Sequence, residues 1–203
     1  MTSAHHASGV HPVIGVDAGT ATLREADRLI HALRDRLTLP AGTFACTHLF
    51  RTDQRRGVTI SLTLPDADTD AGMVWQELAA TLPPGAGLAL GDRAHGPAEA
   101  VGTARQAAAA PPGSGRAVLY PGVERLTGTV TVADVLDRTA IEHLALLGSP
   151  AGELPGTTQV STQDHVRPEW RAGVLTLALV PAAGGLLAPF EVPNPTPCCA
   201  DHI

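Results

Sequence analysis

Apolar positions near the start of the chain form a short run and then follow a helical spacing. Residues 13–16 are mostly apolar, as in a short buried strand. From residue 23 to residue 37, apolar side chains recur at intervals of three or four positions, which predicts an amphipathic helix. Thr22 and Glu25 match a capping box at its start, and Pro40 lies just beyond its end. The pattern therefore predicts a strand followed by a helix.

The next elements predicted are two strands, a helix and a further strand, at residues 43–50, 58–64, 71–82 and 88–90. Asp70 is the expected N-cap of the helix, and the polar residues 53–57 form the turn between the two strands. The resulting order, β-α-β-β-α-β, is that of the ferredoxin-like fold. We therefore expect residues 12–92 to form a ferredoxin-like α+β half.

Composition marks the borders of this half. Residues 93–115 contain an alanine run followed by Pro111-Pro112-Gly113-Ser114-Gly115, which interrupts regular structure and predicts a linker. Residues 1–11 are expected to form a mobile leader, and residues 193–203 a proline-rich tail. The second half of the protein then spans residues 116–192.

This second half combines short strand patterns with one long helical pattern. Apolar residues from 132 to 147 follow a helical stripe, with Gly148 at the position of a C-cap. His143 lies on that stripe and is expected to be packed against the core. Strands are predicted at residues 117–120, 128–131, 157–161, 174–180 and 186–192. The pattern indicates an α+β half in which a helix packs on a small, mainly antiparallel sheet.

Composition excludes several classes of function. The net charge is −6 and all 14 basic residues are arginines, so Schiff-base chemistry and a P-loop lysine are excluded. The negative charge and the scarcity of aromatic residues argue against nucleic-acid binding. There is no apolar run of membrane-spanning length and no signal-peptide pattern. Three cysteines, an odd number, do not form a disulfide framework, so a cytoplasmic protein is expected.

One short segment resembles a known phosphate-binding motif. Residues 14–20, with the sequence Ile-Gly-Val-Asp-Ala-Gly-Thr, are similar to the first phosphate motif of the sugar-kinase and actin superfamily. That resemblance implies a turn that approaches nucleotide phosphate. The family continues into a hairpin, however, whereas the capping box at Thr22 begins a helix here. The segment is therefore interpreted as a tight strand-to-helix turn.

The strongest candidate chemistry lies in the C-terminal tail. Cys198, Cys199 and His202 form a Cys-Cys-x-x-His sequence, in which thiolate and imidazole ligands suit a thiophilic ion. Thr196 and Pro197 suit the N-cap and first position of a short helical turn. Such a turn would bring both sulfurs and the imidazole to one side, whereas extended backbone would point the two cysteines in opposite directions.

A closed zinc site has four ligands, so these three residues require a fourth. The fourth is expected from Cys46, His48 or His165, from Asp201, or from water. Cys46 and His48 are two positions apart in a predicted strand and therefore share one face. His165 lies in a loop, residues 163–170, that is dense in functional groups, and loops of this kind often carry sites.

The sequence therefore predicts binding of zinc or copper through Cys198, Cys199 and His202. A thiol-dependent enzyme or redox protein that uses Cys198 or Cys199 is one alternative. A non-catalytic interaction module, with the proline-rich tail as ligand for a protein partner, is another. No catalytic mechanism is assigned by the residues themselves, so enzymatic activity stays open.

Overall fold

The computed structural model describes residues 11–65, 71–148, 152 and 154–193. The chain divides into two compact units between Pro121 and Gly122, and each is described by itself. Across the described residues there are four α-helices and twelve strands, and most strand pairs are antiparallel. The predicted mixture of helices and mainly antiparallel strands is confirmed. None of the described helices combines the length and apolar character needed to cross a bilayer.

The first unit contains three helices and six strands. The helices are α1 (Leu23–Arg36), α2 (Ala71–Thr81) and α3 (Ala98–Ala108). The strands are β1 (Val13–Asp17), β2 (Phe44–Arg51), β3 (Arg56–Thr63), β4 (Gly87–Leu90), β5 (Arg93–His95) and β6 (Arg116–Leu119). They form a sheet in the order β5-β4-β1-β3-β2-β6, in which each pair of neighbours is antiparallel.

Strand alternation separates the two faces of this sheet. Ile14 pairs with Leu62 and Val16 with Ile60, so these four side chains point to the same face. They belong to one buried cluster with apolar residues of α1 and α2, among them Ile30, Leu33, Val74 and Leu78. The two helices that the sequence predicts therefore supply the apolar cover of this core.

Helix α1 begins at the predicted signal. The Thr22 side chain accepts a hydrogen bond from the Glu25 backbone N–H, and the Glu25 carboxylate accepts one from the Thr22 backbone N–H. The helix also contributes Asp27, which forms a bidentate ion pair with Arg116 of β6 at 2.7 and 3.0 Å. Both side chains are buried, so this pair links the helix to the sheet in the interior of the first unit.

The linker predicted over residues 93–115 is replaced in the structure by regular secondary structure. These residues contain β5 and α3, and β6 begins at the next residue. Helix α3 packs over β1 and β4, on the face of the sheet opposite to α1 and α2. Small residues allow this contact: a Cβ added to Gly15 would lie 1.8 Å from the carbonyl oxygen of Ala104, and one added to Gly87 would lie 2.3 Å from that of Ala100. Alanine favours helix formation, and low sequence complexity here reflects close packing.

The second unit contains one α-helix and six strands. The helix is α4 (Val132–Arg138). The strands are β7 (Thr129–Thr131), β8 (His143–Leu146), β9 (Gln159–Ser161), β10 (Glu169–Arg171), β11 (Val174–Pro181) and β12 (Leu187–Pro189). Their order is β10-β11-β12-β9-β7, with β8 also paired to β11. The β8–β11 and β9–β12 pairs are parallel and the others antiparallel. The sheet is larger than the small one predicted.

The prediction of one long helix over residues 132–147 is wrong. Helix α4 ends at Arg138, and residues 143–146 form β8 beside β11. The Thr139 hydroxyl donates to the Val135 carbonyl at 2.7 Å and accepts from the Ile141 N–H at 3.0 Å, which closes the helix. His143 is exposed rather than packed in the core. A short apolar run fits a helix and a strand equally well, and pairing with β11 decides between them.

Candidate functional site

A tightly bonded turn follows β9 in the second unit. The Gly128 carbonyl accepts hydrogen bonds from the backbone N–H and the hydroxyl of Thr162, each at 2.8 Å. The Gly128 N–H donates to the Asp164 carboxylate at 2.8 Å, and the His165 N–H donates to the Thr162 carbonyl at 3.0 Å. Gln163 and Asp164 both adopt left-handed backbone, with φ of 52° and 51°. Such conformations in consecutive non-glycine residues persist only where surrounding contacts enforce them.

This turn positions His165 beside Glu191. His165 Nε2 lies 3.1 Å from Glu191 Oε1, and Glu191 is the second residue after the end of β12. The His165 side chain is 15% exposed and that of Glu191 is 36% exposed, so the imidazole is largely enclosed while the carboxylate reaches solvent. The two residues are 26 positions apart in the chain and meet through the fold of the second unit.

The pair has a defined hydrogen-bond polarity. An ionised carboxylate only accepts hydrogen bonds, so Nε2 of His165 is the donor. In neutral imidazole the lone pair then lies on Nδ1. A carboxylate that accepts from one imidazole nitrogen fixes the ring orientation and makes the other nitrogen a stronger metal ligand. The arrangement can therefore present one oriented imidazole donor to a cation.

The other candidate pair within the described residues lies on β2 of the first unit. Cys46 and His48 are both part of this strand, two positions apart, so the shared face that the sequence predicts is present. Cys46 is only 4% exposed, and that face is not open at its position. His48 Nε2 lies 2.8 Å from the Ser61 hydroxyl. Burial lowers the pKa of His48 below its ordinary value, which favours the neutral ring.

Three of the predicted ligands lie outside the described residues. Cys198, Cys199 and His202 belong to residues 194–203, as does Asp201. Of the six residues predicted to bind metal, the structure thus describes Cys46 and His48 in the first unit and His165 in the second.

The segment after β1 resembles a phosphate-binding motif, but its aspartate is bonded by groups of the protein itself. Asp17 is fully buried, and its carboxyl accepts hydrogen bonds from the Gly19 N–H at 2.9 Å, the Arg55 guanidinium and the Thr103 hydroxyl. Arg55 also donates to Glu99 at 2.7 Å. These contacts use the carboxyl to join β1 to the β2–β3 turn and α3. The segment is a structural strand-to-helix turn, as the capping box indicates.

Glu191 is the site residue that sequence reasoning missed. It falls inside a predicted strand, residues 186–192, and is a single acidic residue with no motif around it. Its pairing with His165 depends on how β12 and the turn after β9 are brought together. No local spacing in the sequence encodes that contact.

No protein-family model matches the chain, and neither a curated protein nor a solved structure matches it.

Proposed function

We propose that the protein binds a thiophilic metal ion, zinc or copper(I), through Cys198, Cys199 and His202, with His165 as the fourth ligand. The set has two sulfur and two nitrogen donors, which is a common composition for a closed tetrahedral zinc site. Thiolate and imidazole ligands also suit copper(I). Among the fourth ligands that the sequence leaves open, His165 is preferred because Cys46 is buried.

The observation that supports this choice is the His165–Glu191 pair at 3.1 Å. An imidazole with one nitrogen occupied by a carboxylate offers the other to a metal, as in many zinc proteins. The bonded turn at Gly128 and Thr162 holds the His165 backbone before any ion binds. A fixed ligand on the protein body lowers the cost of organising ligands supplied by a tail.

Chain length also favours His165 as the partner of the tail. Cys198 follows Glu191 by seven positions, and the Glu191 side chain contacts His165. Seven residues span at most about 24 Å of extended chain. The cysteines are therefore tethered close to this imidazole along the sequence, which raises their effective concentration there.

The test compares Zn²⁺ and Cu⁺ binding among full-length variants produced without a histidine tag. Wild type is expected to bind one ion, the Cys198→Ser/Cys199→Ser variant to bind none above background, and His165→Ala to bind weakly. His143→Ala removes an exposed histidine of the same unit and serves as the control, with unchanged binding. Equal and negligible metal content in wild type and the double cysteine variant would reject the proposal.

The same variants separate the proposal from its alternatives. A thiol-dependent enzyme or redox protein requires one cysteine that reacts with iodoacetamide at a lower pH than an ordinary thiol. A tail that serves as ligand for a protein partner requires loss of that partner when residues 193–203 are deleted. Either result in a protein that binds no metal would favour the alternative concerned. Metal-bound thiolates also need reduced cysteines, which supports a cytoplasmic location.

We further propose that the first unit is a ferredoxin-like fold with additions. Its four central strands follow the order β4-β1-β3-β2 with all neighbours antiparallel, and α1 and α2 connect β1 to β2 and β3 to β4. Strands β5 and β6 then extend the two edges, and α3 is an extra helix. An experimental structure of the unit with a different order of these four strands would contradict this assignment.

A further inference from the structure

We infer that Glu191 is a positioning residue that selects Nδ1 of His165 as the metal-binding nitrogen, an inference that rests on the proposed function. The starting point is the hydrogen bond from Nε2 to Glu191 Oε1. A nitrogen that donates a proton has no lone pair for a cation, so the ion must approach through Nδ1. The carboxylate therefore determines from which edge of the ring the metal is bound.

Backbone hydrogen bonds hold the main chain at His165 in addition to the contact with Glu191. The His165 N–H donates to the Thr162 carbonyl, and the Asp164 carboxylate accepts from the Gly128 N–H. The left-handed φ of Gln163 and Asp164 then sets the direction in which the chain enters His165. With the backbone fixed by the turn and Nε2 fixed by Glu191, the ring has one favoured orientation before metal binds.

Such a carboxylate contributes to affinity without contacting the ion. Loss of the partner of a metal-bound histidine typically weakens metal binding by about 10- to 100-fold. Glu191 is 36% exposed, so a neutral side chain in its place remains partly solvated. The expected effect of a substitution at Glu191 is therefore on metal binding, with little change in folding.

The experiment measures Zn²⁺ affinity of the full-length protein by chelator competition for wild type, Glu191→Ala and Glu191→Gln. Glu191→Ala is expected to bind Zn²⁺ about 10- to 100-fold more weakly. Glu191→Gln keeps a carbonyl oxygen that accepts from Nε2 and is expected to recover part of that loss. Glu124→Gln removes an exposed carboxylate from the same unit and is the matched control, with wild-type affinity.

A spectroscopic measurement identifies the nitrogen directly. Imidazole ¹⁵N correlation spectra of the zinc-loaded protein are expected to show Nδ1 bound and Nε2 protonated at His165, with this pattern lost in Glu191→Ala. Zinc bound through Nε2, with Glu191 as a direct ligand, would overturn the inference, as would wild-type affinity in Glu191→Ala. In both cases the proposed function stands, whereas a wild-type protein that binds no metal would reject the two proposals together.

Discussion

Asp17 illustrates how a single buried residue joins three elements of the first unit. Its carboxyl is fully enclosed and accepts from the Gly19 backbone, the Thr103 hydroxyl and the Arg55 guanidinium. The hydrogen bond to Asp17 is also the main reason that the pKa of Arg55 is raised. Removing one partner of such a set leaves the others unsatisfied in the interior, which costs more than the net contribution of the interaction itself.

Asp17→Ala is therefore expected to destabilise the protein by about 3 kcal/mol, a value below the upper range for buried pairs because Arg55 is partly exposed. Urea unfolding monitored by circular dichroism gives the free energy of unfolding. Asp137→Ala, at an exposed position of α4, is the control and is expected to change it by less than about 0.5 kcal/mol. Equal stability in the two variants would contradict the structural role of Asp17.

His48 makes the stability of the first unit depend on pH. Burial lowers the pKa of His48 in the folded state below its ordinary value of 6.5, so the unfolded chain takes up a proton at higher pH than the folded protein does. The contribution of His48 to stability is thus fully present above 6.5 and decreases as the pH falls from 6.5 toward the folded pKa.

Wild type is therefore expected to lose more stability than His48→Gln when the pH is lowered from about 7.5 to about 5.5. Urea unfolding at the two pH values measures the difference. His143→Gln, at an exposed position, is expected to retain the full wild-type pH dependence. A pH dependence in His48→Gln that matches wild type would show that another group is responsible.

At the scale of elements, the sequence predicts correctly a helix start that depends on neighbouring residues, but not the elements that depend on long-range contacts. The capping box at Thr22 depends on residues three positions apart, and the structure confirms it. By contrast, β8 forms because β11 lies beside it, and the apolar spacing of residues 143–146 alone did not distinguish strand from helix. Helix α3 was missed because its alanines and glycine resemble a linker until the sheet that they pack on is known.

The contact between α3 and β1 gives a paired prediction. Gly15→Ala places a Cβ 1.8 Å from the Ala104 carbonyl oxygen and is expected to cost at least about 1–3 kcal/mol. Gly102→Ala, in α3 itself, meets no atom within 4 Å and is expected to stabilise the protein by about 0.5–1 kcal/mol through helix propensity. Thermal unfolding of both variants measures the two effects, and the same sign for both would contradict the packing described.

At the scale of the whole molecule, the sequence points to one member of the His165–Glu191 pair and not to the other. His165 was identified from the density of functional groups in its loop, whereas Glu191 was not, because its contact spans 26 positions and has no motif. The six-stranded sheet of the second unit contains parallel pairs as well as hairpins, and short parallel strands leave little pattern in a sequence. The cysteines of the tail lie outside the described residues, so their part in the site stays a prediction.

The proposed metal site predicts that thermal stability depends on zinc. A ligand that binds only the folded state stabilises it by about 2.7 kcal/mol at a free concentration 100 times the dissociation constant. Removal of zinc with a chelator is therefore expected to lower the Tm of wild type and to leave that of Cys198→Ser/Cys199→Ser unchanged. Calorimetry of both proteins with and without chelator tests this, and an unchanged wild-type Tm would count against the site.

The short packing distance between α3 and the strands at Gly15 and Gly87 limits where another molecule can bind on the first unit. A β-sheet with helices on one face only leaves its other face available to bind other molecules. Here helix α3 covers the face above β1 and β4, and at Gly15 and Gly87 the spacing leaves no room even for a methyl group. We therefore expect no compound to bind on the sheet face above β1 and β4.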